Sequence, residues 1–155
     1  DASSTINGTG SVLTINVSAA TIAVYRGSIV GGAIIEKLGA GTFNLARLGT
    51  ANLIGAINVH AGTLIGSEAG FGTANLSVDD GATIGFNNDD PTAAWTYAGQ
   101  VTSTGAGAGT VGGTILKTGA GEVRLLGVEP DQDFVGRHAV VERIDEALEE
   151  RQATP

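Results

Sequence analysis

A chain of 155 residues with 25 glycines, no cysteine, no methionine and a formal net charge of −8 is long enough to bury a core as one domain, with or without an appendage. The composition excludes a disulfide framework and a thiolate metal site, and there is no basic stripe to displace counterions from nucleic acid or to hold an anionic membrane surface. No apolar run approaches the ~18 residues of a membrane helix, and the apolar pulses are too short for the strands of about 9–11 residues that a transmembrane barrel needs.

The chain opens on Asp1 without an initiator methionine, as expected of a mature or excised piece whose signal peptide is gone. Asp1 to Gly10 is polar and is expected to pair loosely or fray. Ser11 to Val17 alternates, with Leu13, Ile15 and Val17 on one face, and predicts the first firm strand; Thr21 to Tyr25 predicts the second.

From Tyr25 to Ile65 the chain is a string of short apolar pulses broken by glycines. Phe43-Asn44-Leu45 and Ile57-Asn58-Val59 have the period-two alternation of strands with one buried face, and Gly39, Gly41, Gly49, Gly55 and Gly62 punctuate them. Phe43, Leu64 and Ile84 recur at intervals of roughly 20 residues, and Ile57 and Leu76 at nearly the same interval. A recurrence of this length, too long for a hairpin and lacking the helix of a βαβ unit, predicts parallel strands stacked rung on rung. A longer recurrence overlies it: Lys37-Leu38-Gly39-Ala40-Gly41 returns as Lys117-Thr118-Gly119-Ala120-Gly121.

Further on, Leu76-Ser77-Val78 and Ile84-Gly85-Phe86 flank the turn Asp79-Asp80-Gly81, and Asn87 to Pro91 is a loop by composition. Trp95 and Tyr97 share one strand face. Thr102 to Gly113 is nearly all small residues and reads equally as a corner or a thin strand. Thr114 to Lys117 and Glu122 to Leu126 restore the strand pattern. Asn44, Asn58 and Asn75 are candidates for stacked side-chain ladders.

The order Y-x-G-x-I, then G-x-I-x-x-K-x-G-A-G-T-F-x-L, then N-x-x-x-G-A-I-x-V-x-A-G-T-L resembles the autotransporter-associated β-strand repeat, also called the passenger-associated transport repeat. One full copy covers Tyr25 to Ile65 and a truncated one covers Tyr97 to Gly127, about half the chain. The residues that carry the motif are Lys37, Gly39, Gly41, Phe43, Leu45, Gly62, Leu64, Lys117, Gly119 and Gly121. The resemblance implies a passenger that folds as a right-handed parallel β-helix and is secreted through an outer-membrane translocator barrel of a Gram-negative bacterium, a barrel expected elsewhere in the full-length protein. It implies a surface-exposed or released scaffold, often serving adhesion or virulence, and does not imply a reaction.

Composition changes after Val128. Residues 129–155 hold 8 acids and 3 arginines, and Gly136 is their one glycine. A helix is predicted from Asp131 or Asp133 to about Arg151, with Val140, Val141, Ile144, Ala147 and Leu148 as its apolar stripe. Glu142, Glu146 and Glu150 at i,i+4 spacing make it marginal alone. Its expected role is to cap the open end of the last rung through Val140, Val141, Ile144 and Leu148; docking on a lateral face of the coil or on another chain is the alternative.

Chemistry-bearing residues are few. Asp79-Asp80 and Asp89-Asp90 are the acidic clusters of the coil and would be the site of a rival function, a polysaccharide-acting β-helical lyase or hydrolase. They read more simply as turn residues. His60 alternates outward and reads as a solvated histidine; His138 has no Cys or second His near it. Trp95 with Tyr97 would suit either a sugar platform or an aromatic plug for the interior. Neither a cofactor nor a metal is expected. The sequence thus predicts an all-β, right-handed single-stranded parallel β-helix of about six rungs over residues 1–128, estimated at the ~20-residue period of such stacks, closed by an acidic helical cap over 129–155. The expected function is a non-enzymatic, secreted or surface-displayed passenger segment that meets a host or neighbouring cell-surface molecule.

Overall fold

The structure, a computed structural model, describes residues 4–46, 52, 54–104, 112–128, 134–135 and 139–140. They form an all-β parallel solenoid. Its first strands are β1 (Thr5–Asn7), β2 (Val12–Asn16), β3 (Ile22–Tyr25), β4 (Ser28–Val30), β5 (Ala33–Leu38) and β6 (Thr42–Leu45). β7 (Ile54–Val59), β8 (Thr63–Gly66), the one-turn helix α1 (Glu68–Phe71), β9 (Asn75–Asp79) and β10 (Thr83–Asn87) follow. The remainder is β11 (Ala94–Thr104), β12 (Thr114–Thr118), β13 (Glu122–Val128), β14 (Phe134–Val135) and β15 (Ala139–Val140).

Successive strands alternate between two sheets. One has the order β15-β13-β11-β9-β7-β5-β2, the other β14-β12-β10-β8-β6-β3, and β1 pairs with β4 on a third side. Every pairing is parallel. Four turns, from β5–β6 to β11–β12, have a strand above and below in both sheets. The recurrence expected from the residue pattern is the length of one such turn.

Alternation sets the interior. Leu13, Ile35, Ile57, Leu76 and Val101 stand in one register column of the larger sheet, and Ala23, Phe43, Leu64, Ile84 and Ile115 in one of the smaller. From Ile35 and Phe43 onward these residues are buried, and each rests on the residue one turn away. A second column, Tyr25, Leu45, Gly66 and Phe86, has a gap where Gly66 carries no side chain. The α1 helix, capped by Ser67 whose Oγ accepts from the Gly70 N–H at 3.1 Å, swings Phe71 into that gap. Phe71 meets Phe86 edge-on at 5.3 Å and joins Trp95 and Tyr97 in one buried aromatic cluster. Trp95 and Tyr97 are therefore the plug and not a surface platform; the Tyr97 hydroxyl donates to the Ala74 carbonyl, and burial pushes its pKa well above the phenol range.

Two expectations are corrected. The asparagines do not stack on one another: Asn44 registers with Ile65, Asn58 with Glu36 and Ser77, and Asn75 with Ala56. The ladder is instead of threonine, Thr42, Thr63, Thr83 and Thr114, in register on the smaller sheet. Of the two readings left open for the stretch from Thr102, strand holds at Thr102 to Thr104, the end of β11. In the tail, β14 and β15 pair in parallel with β12 and β13, so the chain at 134–135 and 139–140 is extended and not helical. Val140 lies in β15, while Val141, Ile144 and Leu148 lie outside the described residues. At these positions the edges of β12 and β13 supply the partners of the backbone groups.

Replacing Phe71 with alanine reopens the Gly66 gap beneath three aromatic rings. The expected loss is ~3–5 kcal/mol of unfolding free energy by urea titration, and a loss under about 1 kcal/mol would mean that Phe71 does not fill the interior.

Candidate functional site

The richest polar cluster lies where the larger sheet turns into the smaller one. The Gly39-Ala40-Gly41 corner after β5 and the Ala61-Gly62 corner after β7 stack directly: the Thr63 N–H donates to the Gly41 carbonyl at 3.2 Å. Gly39 and Gly62 adopt φ of 75° and 68°, the left-handed region, which a residue with a Cβ reaches only with strain. Gly41 has no positive φ, but a Cβ there would strike the Ser18 carbonyl oxygen, so it is required for close approach.

Lys37 occupies the last inward position of β5 and is fully buried. Its ammonium donates to the carbonyls of Leu38 at 2.9 Å, Gly39 at 2.8 Å and Ala61 at 3.0 Å. Three donors meet three acceptors, and the third acceptor belongs to the next turn. Burial lowers the Lys37 pKa below the ordinary lysine value, while the three carbonyls match the three N–H donors of its protonated form.

Lys117 repeats the device with a difference. It stands near the end of β12, and Gly119 takes φ 79° as Gly39 takes 75°. The Lys117 ammonium donates to the Gly119 carbonyl, and Gly121, like Gly41, approaches backbone too closely for a side chain, here the Asp90 carbonyl. But β5 belongs to the larger sheet and β12 to the smaller, so the two copies build the same turn at opposite corners of the coil. Phe43, Leu45 and Leu64, the other motif residues, are buried in the core.

On the outward face of the same corner, His60 bridges two carboxylates from the turns on either side. Its Nε2 lies 2.5 Å from Glu36 Oε2 and its Nδ1 2.7 Å from Asp79 Oδ2. Asn58 Nδ2 donates to the other Glu36 oxygen at 2.9 Å. Both partners of the ring are acceptors, so both nitrogens carry hydrogen and the ring is the imidazolium. The Glu36 hydrogen bond, then the Asp79 hydrogen bond, raise the His60 pKa above its ordinary value. With both nitrogens engaged, the ring has none left to act as a base or nucleophile in this state. His60 is thus a staple across three turns. Register explains what the residue pattern alone missed: Glu36 and Asp79 each lie one turn of the coil away from His60, in opposite directions along the chain.

A second staple is internal. Asn52, buried, accepts from the Ile29 N–H through Oδ1 and donates to the Gly70 carbonyl through Nδ2, each at 2.9 Å. It ties the third side of the coil to α1.

The remaining aspartates do not join this cluster. Asp89 Oδ2 accepts from Asn87 Nδ2 at 2.8 Å, and Asp90 Oδ1 accepts from the Thr92 hydroxyl and N–H at 2.7 and 2.8 Å. Those Thr92 bonds hold the Asp90 carboxyl below its ordinary value. Asp79-Asp80 stand at the end of β9 and Asp89-Asp90 follow β10, successive corners of one turn. Among the described residues no group of three or more histidine, aspartate or glutamate side chains is arranged to hold a metal ion. His138 lies outside the described residues.

No protein-family model, curated protein or solved structure matches the chain.

Two outcomes follow from these contacts. Lys37→Met should cost about 1–3 kcal/mol, because it leaves three buried corner carbonyls unpaired; Lys117→Met, which gives up one contact at a half-exposed corner, should cost clearly less in the same denaturation series. For His60, the folded state holds the proton more tightly than the unfolded chain does. Its contribution is therefore full below the ordinary imidazole value of about 6.5 and is lost as pH rises through the raised folded value. The side chain is 40% exposed, so solvent screening limits the effect to no more than about 1 kcal/mol. Melting temperature recorded from pH 6 to 9 should fall more steeply in the parent than in His60→Gln; parallel curves would show that the bridge contributes nothing.

Proposed function

We propose that this chain is a segment of an autotransporter-type passenger: a non-enzymatic, secreted or surface-displayed β-helical scaffold used in adhesion or virulence by a Gram-negative bacterium. The observation that carries this is the paired use of K-x-G-A-G. Lys37 and Lys117 each turn an ammonium onto the carbonyl of the glycine two residues on, and Gly39 and Gly119 take the same left-handed φ. The motif that gives the resemblance is thus the one that makes the corners of a parallel solenoid. The proposed coil is right-handed, the sense that twisted parallel strands and their crossovers favour.

A scaffold role also agrees with where the polar groups go. Lys37, His60 and Asn52 are consumed in contacts between turns, and the acidic pairs are divided between two corners, an arrangement that does not favour the polysaccharide-acting alternative. A chain without cysteine suits export through an envelope in an unfolded state. Its lateral faces would meet a cell-surface molecule of a host or neighbouring cell, and a translocator barrel would lie elsewhere in the full-length protein.

The test is display. Placed ahead of an outer-membrane autotransporter barrel in a Gram-negative host, the chain should reach the cell surface, become accessible to external protease, and raise adherence to epithelial or bacterial cells above that of the barrel alone. Retention in the periplasm, or display with no gain in adherence, would contradict the proposal.

A further inference from the structure

The Glu36–His60–Asp79 bridge is not symmetric about its ring. On one side His60 is held to β5 twice: the ring Nε2 lies 2.5 Å from Glu36 Oε2, and the backbone N–H of His60 donates to the carbonyl of Lys37, the residue after Glu36, at 3.0 Å. Glu36 lies inside β5, and Asn58 Nδ2 donates to its other oxygen at 2.9 Å, so this carboxylate is oriented whether or not the ring is charged. On the other side Nδ1 meets Asp79 Oδ2 at 2.7 Å. Asp79 is the last residue of β9, where the chain turns through Asp80 and Gly81 toward β10. Its side chain is the more exposed of the two, 38% against 24% for Glu36.

The charged groups that surround the ring are few. Among the described residues, β5 brings Glu36 and the buried Lys37, and β9 brings Asp79 with the exposed Asp80 beside it. The strand β7 that leads to His60, the strand β8 that follows it, and β2 and β11, which flank β5 and β9 in the sheet, carry no charged residue. An imidazole has a hydrogen for each nitrogen only as the cation; the neutral ring has one. Set between two carboxylates, a neutral ring must therefore leave one of them opposite a bare nitrogen, lone pair against lone pair. The side whose carboxylate is already oriented, and to which the His60 backbone is bound, keeps the hydrogen.

We propose that the bridge is a proton-operated clasp on the corner between β9 and β10: on losing one proton the ring keeps its Nε2 hydrogen on Glu36 and releases Asp79. The Asp79 carboxylate then turns to water, while the Thr83 N–H still joins the two corners through the Gly62 carbonyl at 2.9 Å. The corner loosens without unstacking. The direction follows from linkage. Both carboxylates raise the imidazole pKa in the folded chain, so the clasp is closed below the ordinary imidazole value and opens as pH climbs through the raised one. This device belongs to the coil itself and is independent of what the scaffold binds.

Nitrogen-15 spectra of the imidazole rings, recorded on the 155-residue chain from about pH 6 to about pH 10, report the tautomer directly. His60→Gln identifies the His60 signals against those of His138. Through the titration Nδ1 is expected to lose its hydrogen and Nε2 to keep it. Over the same range the amide protection factors of Ala82 and Thr83, whose N–H groups donate to the Asp79 and Gly62 carbonyls, should fall about two- to fivefold more than in His60→Gln. Two further variants separate the sides. In Glu36→Gln the neutral ring should carry its hydrogen on Nδ1 toward Asp79, and the protection of Ala82 and Thr83 should persist. In Asp79→Asn the new amide can donate to the bare Nδ1, so the ring should stay in the Nε2–H form while the loss of protection disappears. A neutral parent ring with its hydrogen on Nδ1, an even mixture of the two tautomers, or protection that does not change with the His60 titration overturns the proposal, as does a parent-like pH response in both variants.

Discussion

Each turn of this coil buries its apolar side chains chiefly against the turn before and the turn after, so the fold depends on keeping parallel strands in register at a spacing of ~4.8 Å. That single requirement governs the corners. The chain must leave one sheet and enter the other within a few residues, with its peptide groups still aligned to those of its neighbours. Gly39, Gly62, Gly81 and Gly119 meet it with left-handed φ, and Ala20 does so at φ 59° in the first turn, where a side chain is tolerated at some conformational cost.

Bringing corners so close together crowds their carbonyl oxygens, and the polar side chains of the coil answer that crowding. The Lys37 ammonium gathers carbonyls from two turns, Asn52 joins the third side to α1, and the His60 imidazolium ties Glu36 to Asp79. The Lys37 ammonium has all three N–H groups engaged in this way, and the His60 ring both nitrogens. Where a column lacks a side chain, as at Gly66, a neighbouring element supplies one in Phe71. The same constraint leaves the first turn distinct from the inner ones, because no described strand completes it.

Much of this was legible in the residue pattern, and the exceptions have physical causes. The strands around Phe43, Ile57, Leu76 and Ile84 and their regular recurrence are local signals, and they suffice for the solenoid. Trp95 and Tyr97, two apart on one strand face, could be placed on a side but not assigned to the inside without knowing that Phe71 and Phe86 sit beside them. The Glu36–His60–Asp79 bridge depends on register between three turns of unequal length, which no local pattern reports. The asparagine ladder failed because Asn44 lies in the smaller sheet and Asn58 and Asn75 in the larger, where Asn75 registers with Ala56 and not with Asn58. The threonine ladder was available as the residue after each corner, Thr42, Thr63 and Thr83, but the longer sequence interval before Thr114 hid its last member. In the tail, the helical pattern competed with open strand edges, and at 134–135 and 139–140 pairing with β12 and β13 prevails.

In-register parallel stacking can be tested directly by cross-linking, since the chain has no native cysteine. Thr42 and Thr63 are register partners on adjacent strands, while Thr42 and Thr83 are two strands apart, or about 10 Å. Disulfides need Cα atoms roughly 4.4–6.8 Å apart. The T42C/T63C pair should therefore oxidise readily to an intramolecular disulfide in the folded chain, and T42C/T83C should not. Failure of the first pair, or equal yields from both, would contradict the solenoid.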